Sequence, residues 1–208
     1  FDSLSFSEED KKRTEMYQTE SKRKDSKSKF SNLDNYLQSL EMKLKIFEND
    51  LFSAMRISQL CQKTNQFNLT TKRYTEKEII SYIEDNDIDV FAISLKDKFG
   101  DLGIIGAAII KYLNNKAVID SFLLSCRSLG RGVENAFLYY CLNAIKNRGC
   151  SLVNSYYYKT KKNNQVEDFF NNRGFQLLEK NKDGEKTFVF DRFKHTLTKS
   201  PKYFDILI

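Results

Sequence analysis

The apolar pattern changes period once between residues 88 and 145, and that change constrains the fold more than any other feature. Apolar segments follow one another at 88–95, 104–112 and 117–126. Their connections, 96–103 and 113–116, are rich in Asp, Asn and Gly, the chemistry of hairpin turns. Then Val133, Ala136, Phe137, Tyr140, Cys141, Ala144 and Ile145 recur at helical spacing. They put one stripe of a long helix against a core, and Gly149 after Arg148 ends it. Three strands passing directly into a packed helix predict an α+β domain.

The flanking text extends this pattern. Leu44 and Ile46 alternate with polar residues over 43–48 and predict a first strand. Asp50 opens a helix to about Lys63, and the polar stretch 64–71 reads as a loop. Thr75 and Glu78 form a capping box before Ile79 and Ile80. Beyond the long helix, 152–158 reads as a strand. Asn164 and Glu167 start a short helix carrying Val166, Phe169 and Phe170, and Gly174 stops it. Segments 175–178 and 187–190 form a final hairpin. At the other end, Ser7 starts a helix that is almost wholly polar to Lys29, with little core to join. Ser31 starts a better one, with Leu33, Tyr36, Leu37 and Leu40 on one face. The expected organisation is a helical arm over 1–41, a domain over 42–190 and a tail over 191–208.

Composition removes several function classes. With 40% hydrophobic and 13% aromatic residues among 208, a wholly disordered chain is excluded. The longest apolar stretch, 103–110, is far short of the ~18–20 residues that span a bilayer, so no membrane partner and a cytoplasmic location are expected. The sole histidine is His195. Ser-His-Asp hydrolysis and His-rich metal sites want imidazoles this chain lacks, unless His195 folds back into a cleft. Cys61, Cys126, Cys141 and Cys150 form no C-x-x-C pair and read as free thiols of a reducing compartment. No metal site is expected. The net charge of +6 suits nucleic acid, an anionic small ligand, an acidic carrier protein or a plainly solvated surface. The densest basic cluster is Lys159, Lys161 and Lys162. No basic stripe is interleaved with exposed aromatics, so no nucleic-acid partner is expected.

The chemistry concentrates in R-S-L-G-R-G, Arg127 to Gly132, between a strand and the long helix. Two glycines at this spacing allow a tight turn, and a helix start adds unpaired N–H donors and a positive partial charge. The result is an anion cradle that Arg127 and Arg131 would reinforce. The same glycines also fit a purely steric role. Asp120, on the preceding strand, is a general-base candidate or a solvent-facing strand carboxylate. Cys126, beside Arg127 and near the helix start, is a candidate thiolate acyl acceptor or an inert buried thiol. The amides of Asn65, Gln66 and Asn68, with Phe67, suit a neutral hydroxylated substrate group or a self-bonded loop. Asp97, Gly100, Asp101 and Gly103 suit a tight turn or an ion site.

The element order, the 127–132 loop and the later Asn163, Phe169, Phe170, Gly174, Phe175 segment resemble the GNAT acyltransferase superfamily over about 42–190. The resemblance implies a mixed, mostly antiparallel central sheet flanked by helices, and an acyl-CoA cradle along Leu124, Ser125, Arg127, Leu129, Gly130, Arg131, Gly132 and Val133, completed by Asn163 and Phe170, with a groove running from it between splayed strands. The superfamily often places a tyrosine acid near Phe170, and here Phe169-Phe170 carries no hydroxyl; Tyr156, Tyr157 and Tyr158 are the nearest substitutes. A narrower resemblance rests on three motifs: QLCQKTNQFNLTT from Gln59, DKFGDLG from Asp97 and SCRSLGRGVE from Ser125. Together they resemble the C-terminal half of FkbH-like proteins, which join a HAD-type phosphatase-like domain to a GNAT-like domain. That resemblance implies an acyltransferase-like domain after a missing HAD-type domain. It would bind a phosphopantetheine thioester, on CoA or an acyl carrier protein, and assist acyl or glyceryl transfer in polyketide-type biosynthesis. The alternatives are a non-catalytic carrier-docking module and a stand-alone GNAT N-acetyltransferase.

Overall fold

Alternate residues of Ile88–Asp97 (β2) face opposite sides of a sheet. Phe91, Ile93 and Leu95 join one apolar cluster, and Val90 and Ala92 the other. A strand buried on both faces needs layers above and below, and the chain supplies them. The computed structural model describes residues 8–191 and 201–207; His195 lies outside them. In chain order come α1 (Glu8–Lys27), α2 (Leu33–Ser39), β1 (Lys43–Glu48), α3 (Ala54–Lys63), α4 (Glu76–Ile83) and β2. Then follow β3 (Gly100–Leu113), β4 (Lys116–Leu124), α5 (Val133–Asn147), β5 (Leu152–Tyr157), β6 (Gln176–Lys180), β7 (Lys186–Asp191) and β8 (Asp205–Leu207).

The eight strands form one sheet in the order β6-β7-β5-β4-β3-β2-β1-β8. Neighbours are antiparallel except β1 with β8 and β4 with β5. On one face α2 and α5 bury Tyr36, Leu37, Leu40, Phe137, Cys141 and Ile145. On the other α3 and α4 bury Ile57, Leu60, Cys61 and Ile79. The capping box at Thr75 and Glu78 is present, with both reciprocal bonds made. The expected stripe of α5 faces inward, with Tyr140 and Ala144 at its half-buried margin.

Four expectations change. The helix expected from Asn164 is two 3-10 turns, Asn164–Val166 and Asn171–Arg173. Gly174 still ends the segment, at φ 83°. The stretch read as a tail returns to the sheet as β8, which pairs with β1. The polar arm is tied to the domain by Arg23, which is buried and reaches Asp97 on β2. Finally, Tyr36, Leu37 and Leu40 share a core with Met42 and Leu44, so residue 41 separates no two cores.

β4 and β5 set up the site. They pair in parallel from Lys116↔Leu152 to Ile119↔Ser155, and there the ladder stops. On the β3 side, Ile110 pairs with Ile119 and Ile109 with Ser121, so Asp120 is the extra residue of a β-bulge. A bulge bends its strand and re-aims a side chain. Beyond it the two strands leave a gap toward their C-terminal ends.

Candidate functional site

The gap is filled by the chain itself. Segment 67–69, expected to be loop, lies in it as a surrogate strand. Leu124 donates its N–H to Phe67 O at 2.9 Å, and Leu69 donates to Phe122 O at 3.2 Å. Across the gap, Tyr158 donates its N–H to Leu69 O at 2.8 Å. Asn163 is fully buried, and its Nδ2 donates to Asn68 O at 3.0 Å and to Tyr158 O at 2.9 Å. Its Oδ1 accepts from Thr160 N and from the Tyr157 hydroxyl. Phe67 packs against Phe122 and edge-on to Phe169, with centroids 6.2 and 5.2 Å away. Of the expected substrate residues, Phe67 and Asn68 are therefore buried inside the fold. Asn65 and Gln66 remain accessible.

The glycine loop makes its turn with Gly130 and Gly132 at φ 73° and 76°, a conformation that costs glycine least. Gly130 is exposed, and a Cβ there would meet nothing within 4 Å. At Gly132 a Cβ would lie 2.4 Å from the Tyr203 hydroxyl, which donates to Arg131 O at 3.0 Å. Arg131 points inward, with Nη1 3.1 Å from Asp97 Oδ2. Burial and the neighbouring Arg23 charge lower its pKa. Leu124, Val133 and Phe170 are core residues, and Leu129 packs against them. Ser125 holds the strand end by donating its N–H to Ile105 O at 2.6 Å, and its Oγ accepts from Arg127 N at 3.5 Å.

Asp120 is buried on the α3–α4 face. Its carboxylate accepts from the Tyr74 hydroxyl and from Lys72 Nζ at 2.7 Å, and Lys111 Nζ is 3.3 Å away. Burial pushes its pKa up, but the Lys72 and Tyr74 hydrogen bonds and the two lysine charges outweigh it, and the net shift is downward. A base with a depressed pKa, already bonded to donors, abstracts protons weakly. The depressed pKa also signs its contribution to stability: present above the unfolded value, and lost as pH falls through the folded one. The advantage of the native protein over Asp120→Asn is therefore expected to be full at neutral pH and to shrink below about pH 4. Urea unfolding from pH 3 to 7 reads this; a gap unchanged with pH would show that the carboxylate charge is not what matters.

Outside the filled gap lies an open cleft of about 790 Å³. It is lined by Arg56, Gln59, Leu60 and Lys63 of α3, by Thr64, Asn65 and Gln66 after that helix, by Ser125, Cys126 and Arg127 after β4, and by Lys161 and Lys162. Five of the twelve lining residues are cationic and none is acidic. Burial and the Arg127 charge lower the Arg56 pKa. Cys126 is exposed; the other three cysteines are buried, and all four are free. Burial raises the Cys61 thiol to about 11.

The architecture matches solved acetyltransferases. An acetyltransferase of the GNAT family from Desulfovibrio desulfuricans superposes with a TM-score of 0.55 at 10% identity, over 71% of this chain and 98% of that one. The chain has the GNAT fold. A spermidine N-acetyltransferase chimera from Vibrio cholerae gives 0.56 at 12% identity, over 73% and 96%. An acetyltransferase from Thermus thermophilus gives 0.53 at 14%, over 73% and 99%. No protein-family model and no curated protein matches the sequence. At these identities the GNAT likeness is one of fold.

An acyl-CoA donor, the expectation carried by the 127–132 loop, would meet the site differently at its two ends. The cationic cleft suits phosphate groups. The pantetheine arm does not fit the gap between β4 and β5, because Leu124 N–H and Phe122 C=O already bond to segment 67–69. Sequence reasoning missed Asp97 as an ion-pair centre, Lys72 and Tyr74 as partners of Asp120, and Arg56 and Lys63 as cleft residues. A usable signal was the Phe67-Asn-Leu69 alternation, a period of two inside a polar run. Among the described residues, no cluster of metal-ligating side chains occurs and no helix is long and apolar enough to cross a membrane.

Proposed function

We propose that the protein is an acyltransferase of the GNAT type whose donor is an acyl thioester of CoA. The observation that carries this reading is the cleft at the C-terminal end of β4, with five cations and no carboxylate, beside the glycine turn. The acetyltransferase neighbours support acetyl-CoA as the first donor to try and an amine as the first acceptor, and spermidine is acted on by one of them. The FkbH-like motifs extend the proposal to an acyl carrier protein as donor or acceptor, a glyceryl group as cargo and a HAD-type domain as partner. Within it, Cys126 is the proposed acyl acceptor: its thiolate attacks the thioester carbonyl, a cysteinyl thioester forms and the CoA thiol leaves, and its exposure beside the cleft supports this.

A second reading, a non-catalytic module that docks a carrier protein, is favoured by the filled gap and by the missing hydroxyl at Phe169 and Phe170. One experiment separates the two. The protein is incubated with acetyl-CoA and, in parallel, spermidine, an N-terminal peptide or a holo carrier protein, and free thiol release is followed. Acceptor-dependent release supports transfer. Carrier binding without release supports docking. Binding of neither CoA nor carrier overturns both.

A further inference from the structure

We infer that the cleft between α3 and the 125–127 and 161–162 turns is this protein's polyanion site, and that a ligand's phosphoryl groups bind there while segment 67–69 stays in the gap. The inference deepens the donor reading above by saying where the phosphates lie, but it does not require that transfer occurs. Charge is the first argument. Arg56, Lys63, Arg127, Lys161 and Lys162 line one cavity with no acidic residue among them. Lys63, Lys161 and Lys162 make no ion pair among the described residues. Like charges gathered in a concave wall raise the local potential and draw in anions.

Helix polarity is the second argument. The C-terminal end of α3 points its partial negative charge at this cleft, which alone would repel an anion. Arg73 lies over that end, donating to Cys61 O and, at 3.0 Å, to Thr64 O. Its Nη2 also donates to Asn65 Oδ1 at 2.5 Å, holding a residue that lines the cleft. Two of the carbonyls at that end are thus bonded, and another positive charge sits behind them.

Exclusion is the third argument. The family's usual cradle is obstructed at two points: Arg131 is turned into the core by Asp97, and Tyr203 lies over Gly132. The polar edge of β4 in the gap is spent on segment 67–69. In the cleft, by contrast, cations and hydrogen-bonding amides converge in the open, and Gln59, Asn65 and Gln66 supply the amides. Its chemistry selects a phosphomonoester or diphosphate over a carboxylate of single charge, since more charge engages more of the cations.

Cys126, in the cleft lining, is a built-in reporter. Iodoacetamide labelling, with the reagent in large excess over every thiol present, followed by intact mass reads its accessibility, and calorimetry reads affinity. The probes are CoA, inorganic pyrophosphate and pantetheine, which lacks phosphate. CoA and pyrophosphate are expected to bind and to slow Cys126 labelling, more weakly at higher salt; pantetheine is not. Lys161→Ala/Lys162→Ala, at two exposed side chains, is expected to weaken both at least tenfold with an unchanged melting temperature. Equal protection by pantetheine, no pyrophosphate binding, or unchanged affinity in the double variant overturns the site. Turnover with unchanged affinity in that variant would overturn the site while keeping the transferase reading. Tight phosphate-dependent binding without turnover would keep the site and overturn that reading.

Discussion

Asp97→Ala is expected to destabilise the protein by about 3–5 kcal/mol, the cost of removing one partner from a buried ion pair. Asp97 is almost fully buried and accepts five hydrogen bonds. Arg23 grips it with Nε and Nη2 at 2.7 and 2.9 Å, Arg131 Nη1 approaches to 3.1 Å, and the N–H groups of Phe99 and Gly100 lie at 3.0 and 3.1 Å. Glu20, 3.4 Å from Arg23 and 3.7 Å from Arg131, is half exposed and a weak substitute. Without Asp97, two arginines stay in the protein interior with only the half-exposed Glu20 beside them. For a chain of this size the loss corresponds to a melting temperature roughly 10 °C lower. Amides of α1 should exchange faster, because Arg23 anchors that helix to the hairpin. A shift under about 2 °C would show that the pair merely offsets its own desolvation. Asp97→Asn, which keeps an acceptor oxygen and the shape, should fall between.

Asn163→Ala should cost about 2–4 kcal/mol, because a fully buried amide that serves four partners disappears at once. Thr160 N–H and the carbonyls of Asn68 and Tyr158 would be left with a bond each unmade. The effect should be local as well. Amide exchange at Leu69 and Tyr158 should accelerate more than at β2, because Asn163 is the clamp between β5 and segment 67–69. A uniform acceleration would mean that the variant only lowers global stability. No change at Tyr158 would mean that the clamp is not needed.

These two residues also show where sequence reasoning stops. The sheet and α5 were legible because periods of two and 3.6 are local signals, and Phe137, Cys141 and Ile145 needed no distant partner to declare their face. Asp97 and Asn163 gain their meaning from partners 74 and 95 positions away. Asp97 looked like hairpin chemistry, and it does accept from Phe99 and Gly100, but nothing nearby announced Arg23. Asn163 sat in a polar stretch where a ligand role and a structural one look alike. β8 is only three residues long, below the length at which alternation can be seen. Lys161 and Lys162 did stand out as basic, but their pairing with Arg56 and Lys63 required α3 to be set beside the 125–132 loop by the fold.

A crystal structure with CoA bound would show whether the phosphates enter the cationic cleft while the gap between β4 and β5 stays filled. Segment 67–69 should remain hydrogen-bonded to Phe122, Leu124 and Tyr158, with the diphosphate among Arg56, Lys63, Arg127, Lys161 and Lys162. A pantetheine arm lying between β4 and β5, with segment 67–69 expelled and the diphosphate on the amides that open α5, would contradict this placement.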